Sequence, residues 1–247
     1  MSPPIKAMIL AAGRGERMRP LTDHCPKPLL RVAGKPLIDW HAQALAQGGF
    51  NALVINTDWL GAQISSHFDL QPKLDVREQL SISYSHEGRD FGGALETAGG
   101  IARALPLLGE VFWVLAGDVF VPGFEFTSAA VSRFEASGQL AHLWLVPNPA
   151  HNPRGDFGLS ADGLALNLPP QDPAPRYTYS TIGLYRRAFF DTLPAGNPQG
   201  IKAALAPLLR AAMDRRQVSA ELYTGDWTDV GTPARLAELN HPQPLTT

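Results

Sequence analysis

The chain is short of cysteine. Cys25 is the single thiol in 247 residues, so no intramolecular disulfide can form and nothing calls for an oxidising compartment. It also lacks an excess of either charge: 21 Lys and Arg against 23 Asp and Glu leave a formal net charge of −2. Without a strongly basic surface, broad electrostatic binding to nucleic acid or an anionic membrane is not expected. No apolar run approaches the roughly 18 residues that a bilayer span requires. Residues 1–12 carry one Lys, and Arg14, Arg17 and Arg19 interrupt the run that follows before a secretory leader could complete its apolar stretch. The expectation is a cytoplasmic protein. Charge blocks, low-complexity tracts and internal repeats are missing as well.

What is present is a globular composition, 45% apolar and 18% charged, long enough to bury a sizeable core. Short runs rich in Ile, Val and Leu at 6–10, 52–56, 81–85, 111–116 and 140–146 alternate with helical stretches at 36–47, 59–68, 97–108 and 126–137. Buried strands separated by helices of that length predict an α/β fold, a Rossmann-like, mostly parallel sheet with helices on both faces. After about residue 147, Pro147, Pro149, Pro153, Pro169, Pro170, Pro173 and Pro175 punctuate two strand-like segments, 156–160 and 177–185. A helix over 201–214, a strand over 218–223 and a last helix from Thr232 follow. The expectation is one domain over 1–247, a core of about 1–146 with a lobe of about 147–247 over its sheet.

The first strand runs straight into Leu10-Ala-Ala-Gly-Arg-Gly-Glu-Arg-Met-Arg-Pro20-Leu-Thr. Small residues at Ala11, Ala12, Gly13 and Gly15 leave backbone N–H groups uncovered at the carboxyl edge of the sheet, where open α/β folds bind ligands. Arg14, Arg17 and Arg19 can supply charge-assisted forks to phosphate. The dinucleotide fingerprint fails because Met18 stands at its third small position, and no Gly-Lys-Ser/Thr completes a Walker A loop. By itself, then, the loop also reads as a glycine turn after a core strand. Pro26-Lys27-Pro28 restricts the Lys27 backbone from both sides, and alone it is equally a solvent lysine in a stiff turn. Asp118 ends the apolar run Val114-Leu-Ala-Gly-Asp118, where a carboxylate can hold a cation or cap a helix. His41, on an apolar face with Leu37, Ala44 and Leu45, reads as core. The other His residues show no ligand spacing, and neither Ser180 nor Cys25 has a visible base partner, so covalent catalysis is not expected.

The segments LAAGRGERMRPLT and PKPLLRVAGKPLI, within residues 8–38, together resemble the signature of the sugar-nucleotide pyrophosphorylases, nucleotidyltransferases that couple a sugar 1-phosphate to an NTP. Val114-Leu-Ala-Gly-Asp118 and Trp227-Thr-Asp229-Val-Gly-Thr232 match further family segments in the same order. The resemblance implies Mg²⁺ on Asp118 and Asp229, Arg17 on the β/γ-phosphates, and Lys27 at the charge around the α-phosphorus. It implies a nucleotide cradle from Leu10, Ala11, Ala12, Gly13 and Gly15. In Ala94-Leu-Glu96-Thr97-Ala98-Gly-Gly it implies base or ribose contacts at Thr97 and Ala98, with Glu96 in place of the usual Gly; an ordinary helix N-terminal turn is the alternative there. Asn152-Pro-Arg154-Gly155-Asp156-Phe157 resembles the segment that faces the sugar, which makes Arg154, Gly155 and Asp156 candidates, with Lys202 for the sugar phosphate. The second half is then the sugar-facing lobe that completes the metal site.

The partners implied are UTP or another NTP and a sugar 1-phosphate, with no nucleic acid and no membrane. The segments Leu-Glu-Thr-Ala-Gly-Gly-Ile, Arg-Gly-Asp-Phe and Pro-Leu-Leu-Arg resemble most the family members that act on N-acetylmuramate 1-phosphate with UTP in cell-wall sugar recycling. Mannose 1-phosphate with GTP, and glucose 1-phosphate, are the rival substrates. A non-catalytic nucleotide-sugar sensor is the rival of another class, disfavoured because Arg17, Lys27, Asp118 and Asp229 are all retained. For a lactyl carboxylate, Arg154 is the candidate cation, with Gly155 expected to leave room for a ligand.

Overall fold

The computed structural model describes residues 4–70 and 80–241; residues 1–3 of the stretch weighed as a leader lie outside them. In chain order it opens with β1 (Lys6–Leu10), β2 (Arg31–Val32), β3 (Lys35–Pro36), α1 (Leu37–Gln47), β4 (Ala52–Thr57), α2 (Gly61–Leu70) and β5 (Ser81–His86). Next come α3 (Glu87–Phe91), α4 (Glu96–Ala104), β6 (Val111–Ala116), β7 (Val119–Phe120), α5 (Ser128–Ser137) and β8 (Ala141–Val146). The chain closes with β9 (Phe157–Leu159), β10 (Ala165–Leu166), β11 (Arg176–Arg186), α6 (Leu205–Asp214), β12 (Val218–Leu222), β13 (Thr228–Asp229) and α7 (Pro233–Asn240). Among the described residues no helix is long and apolar enough to cross a membrane.

Strands β6, β1, β4 and β5 lie side by side and parallel. The near-continuous apolar runs of β6, β1 and β4 are what burial on both faces demands, whereas β5 at the edge alternates. Side chains alternate across the sheet with period two. Ala7, Ile9, Leu53, Ile55, Trp113 and Leu115 pack on one face, where α1, α2 and α5 supply Leu45, Ile64 and Phe134. Met8, Val54, Phe112 and Val114 pack on the other, against Ile101 of α4 and Leu209 and Met213 of α6.

The second half joins the same sheet as well as lying beside it. β11 pairs antiparallel with β6 and with β8, and β8 carries β12 in parallel; β9 and β10 extend the edge of β11. The α6 helix starts at Leu205 rather than 201 because the residues before it are tied across to α4. The Ala98 and Gly99 N–H groups both donate to the Ala203 carbonyl, at 2.9 and 3.1 Å. That leaves residues 201–204 outside the helix.

His41 of α1 is 2% exposed and fills core, as its apolar face implied. Burial pushes its pKa down to about 4 against weaker opposing pulls from the Val119 backbone and Asp118. The unfolded chain then binds a proton that the folded one refuses between about pH 6.5 and 4. This contribution is intact above pH 6.5 and is lost as pH falls through that window, on the order of 3 kcal/mol. Urea unfolding of His41→Gln, which cannot titrate, should show a flatter stability profile between pH 7 and 4 than wild type.

Candidate active site

The carboxyl ends of β1, β4 and β6 open into a cavity of about 230 Å³, lined by Leu10, Ala11, Ala12, Gly13, Lys27, Asn56, Glu87, Thr97 and Asp118 among others. The cradle is braced from behind. Ala11 N–H donates to Asn56 Oδ1 at 2.8 Å, Asn56 Nδ2 to Glu87 Oε1 at 2.6 Å, and Leu95 N–H to Glu87 Oε2 at 2.7 Å. The Ala11 N–H is therefore engaged, contrary to the expectation of uncovered amides through the whole loop. Among the described residues those of Ala12 and Gly13 have no partner. Gly15 lies off the cavity, at φ +69° beside Thr22.

Glu87 is 1% exposed, and burial raises its pKa despite the bonds from Asn56 and Leu95. Gly100 is needed beside it, since a Cβ there would come within 2.4 Å of Glu87 Oε1. Glu87→Ala would strand two buried donors at about 1–3 kcal/mol each. The expected result is a loss of about 2–4 kcal/mol in urea unfolding together with weaker nucleotide binding by calorimetry.

Lys27 is 8% exposed and pairs with Asp118. A neighbouring cavity is shared by Arg17, Asp118, Val119, His151, Tyr179, Thr181 and Asp229. What joins the two acids is a two-residue ladder between β7 and β13, in which Asp229 lies opposite Val119 and Val230 N–H donates to the Asp118 carbonyl at 3.0 Å. Asp229 Oδ2 accepts from Arg235 at 2.9 Å, with His151 at 3.5 Å. Oδ1 of each acid has no partner among the described residues. Of the three arginines in the loop, only Arg17 reaches this cavity. Arg14 and Arg19 both clasp Asp23, at 2.8 and 2.9 Å, and Arg14 also stacks on Trp59.

A third cavity, about 550 Å³, opens from the first across Leu10, Glu96, Thr97 and Ala116, with Asp156, Phe157, Tyr179, Leu209 and Arg210 on its far side. Asp156 is held by the Tyr179 N–H at 2.8 Å and Asn152 at 3.2 Å. Glu96 sits at φ +60°, in the left-handed region that favours glycine.

Four further residues depart from expectation. Ala98 is fully buried with its N–H on Ala203, so it does not line the nucleotide cavity. Lys202 is exposed and lines none of these cavities. Gly155 borders the outer groove rather than the third cavity, and at φ +64° a Cβ there would lie 2.7 Å from Asn148 and 2.9 Å from the Arg176 backbone. Arg154 is exposed and faces an outer groove rather than the third cavity.

Residues 6–243 match the Nucleotidyl transferase family. The chain belongs to that family. It is 50% identical over 240 residues to the N-acetylmuramate alpha-1-phosphate uridylyltransferase of Neisseria meningitidis serogroup B, covering 95% of this chain and 96% of that protein. It is 32% identical to the protein of the same name from Caulobacter vibrioides, covering 94% and 97%. In fold, this nucleotidyl transferase superposes on a UDP-glucose pyrophosphorylase solved with UDP-glucose at a TM-score of 0.74, with 19% identity and 96% and 97% coverage.

No sequence motif pointed to Asn56, Glu87, His151 or Arg235, and Arg210 stood only as the end of the Pro-Leu-Leu-Arg segment, without a role. Asn56 and Glu87 carried a usable signal: polar side chains at or just past the carboxyl ends of strands, where open α/β sheets bind ligands. The other three become site residues only through long-range packing.

Proposed function

We propose that this transferase moves UMP from UTP to a sugar 1-phosphate, N-acetylmuramate 1-phosphate, and releases pyrophosphate. The observation that carries the reading is the shared cavity of Arg17, Asp118 and Asp229 beside Lys27, taken with the 50% identical relative. We propose further that 1–247 acts as one domain, the nucleotide held over about 1–146 and the sugar over about 147–247.

A sugar 1-phosphate is ionised near neutral pH, so its oxygen can attack the α-phosphorus in line without a general base. Catalysis then rests on positioning and charge. The Ala12 and Gly13 N–H groups face the nucleotide phosphates, Arg17 holds the distal ones, and Lys27 steadies the charge that shifts at the α-phosphorus. Asp118 and Asp229 fit a hard cation through the free Oδ1 of each. Two carboxylates suit Mg²⁺, a hard ion that keeps water and phosphate ligands. When bound, Mg²⁺ neutralises and orients the reacting phosphates.

Because Arg17 is assigned to phosphates present in the ground state, Arg17→Ala should raise the KM for UTP about tenfold or more while kcat changes less. Pyrophosphate release measured across UTP, GTP, CTP and dTTP with a panel of sugar 1-phosphates tests the reading. UTP with N-acetylmuramate 1-phosphate should give the highest kcat/KM; GTP with mannose 1-phosphate leading would overturn it.

A further inference from the structure

If the sugar is N-acetylmuramate, as proposed above, its lactyl group brings a carboxylate that N-acetylglucosamine lacks, and the sugar cavity should offer a cation that no phosphate needs. Among the described residues, Arg210 is the one arginine or lysine on the wall of that cavity. It projects from α6 beside Leu205, Ala206 and Leu209, which line the same space, and its guanidinium lies 5.1 Å from the Phe157 ring centroid. We propose that Arg210 reads the lactyl carboxylate and so sets the preference for this sugar.

The bonding around Arg210 leaves it available. A guanidinium carries five N–H donors. Nη1 donates to Asn167 Oδ1 at 2.7 Å and Nη2 reaches the Asp156 carbonyl at 3.5 Å, both neutral acceptors. Among the described residues no carboxylate lies within ion-pairing distance. Of the acids that share its cavities, Glu96 makes no ion pair with it among the described residues, and the other two are engaged elsewhere. Asp156 accepts from Tyr179 and Asn152, and Asp214 from Asn167 at 3.0 Å. A partly buried cation held in place by neutral oxygens lacks a counter-ion of its own, and a bidentate carboxylate supplies one. Arg154, the cation the sequence suggested, opens only on the outer groove beyond Arg210 and Asp156.

The alternative role is mechanical: Arg210 as a clasp between α6 and the β9–β10 edge. The two roles separate on sugar preference, which a clasp does not move. The experiment compares kcat/KM for N-acetylmuramate 1-phosphate, its lactyl amide and N-acetylglucosamine 1-phosphate, all with UTP, in wild type, Arg210→Gln, Arg210→Lys and Arg154→Ala. Wild type should favour the free acid over its amide by about ten- to a hundredfold, the range of a charge-assisted pair. Arg210→Gln should bring acid and amide level while use of the glucosamine sugar changes little. Arg210→Lys, which keeps the charge and the packing of the stem but loses the fork, should keep part of the preference, and Arg154→Ala should keep all of it. An undiminished preference in both Arg210 variants, or its loss in Arg154→Ala alone, overturns the role of Arg210 and leaves the substrate standing. A wild type that turns over other sugar phosphates but ignores the muramate overturns the substrate itself, and this role with it.

Discussion

Asp118→Asn and Asp229→Asn are each expected to lower kcat/KM by about a thousandfold or more, because each removes a charged oxygen from the pair assigned to the metal and metal stabilisation of phosphoryl charge is worth several kcal/mol. Both should also lose some stability. Asp118 is the counter-ion of a Lys27 side chain only 10% exposed, whereas its own side chain is 35% exposed. Solvent therefore softens the loss, and Asn can still accept the lysine hydrogen bond; a cost of about 1–2 kcal/mol is expected. Asp229, with a side chain 25% exposed, is the counter-ion of an Arg235 side chain 15% exposed and also faces His151, so its replacement should cost about as much. Activity titrated with Mg²⁺ alongside urea unfolding reads both effects. Wild-type rates at limiting Mg²⁺ in both variants would remove these residues from the metal site.

Lys27→Ala should lower kcat by about a hundredfold or more and leave the KM for UTP within a few-fold, since its charge is assigned to the α-phosphorus as the bond changes. Its ammonium already sits against Asp118 on the cavity wall, and Pro26 and Pro28 limit how far the backbone can carry it away. This is the reverse of the Arg17 signature. Steady-state kinetics of both variants under identical conditions separate ground-state from transition-state charge. Two variants that raise the KM alike, with kcat intact, would show that Lys27 only binds nucleotide.

The parts of this fold legible in the sequence are those whose signal is local. The apolar runs that became β1, β4 and β6 are continuous because both faces of a parallel strand are buried. The loop after β1 and the rigid turn around Lys27 could be read residue by residue. What stayed hidden depends on register and tertiary pairing. Two-residue strands such as β7 and β13 leave no periodicity, yet their ladder is what brings Asp118 beside Asp229. The link from Ala11 through Asn56 to Glu87 exists only because β1, β4 and β5 are neighbours. Charge alone did not distinguish Arg17 from Arg14 and Arg19; Asp23 does, by binding the latter two. Nor did the pattern around Gly155 reveal that Asn148 and Arg176 fill its open side.

The most direct test of the central claim is mass-spectrometric identification of the products formed from UTP and N-acetylmuramate 1-phosphate. Wild type should form equal amounts of UDP-N-acetylmuramate and pyrophosphate, with neither above background in Asp118→Asn. UTP consumed to UDP and orthophosphate, or no nucleotide sugar formed by a folded wild type supplied with Mg²⁺, would contradict it.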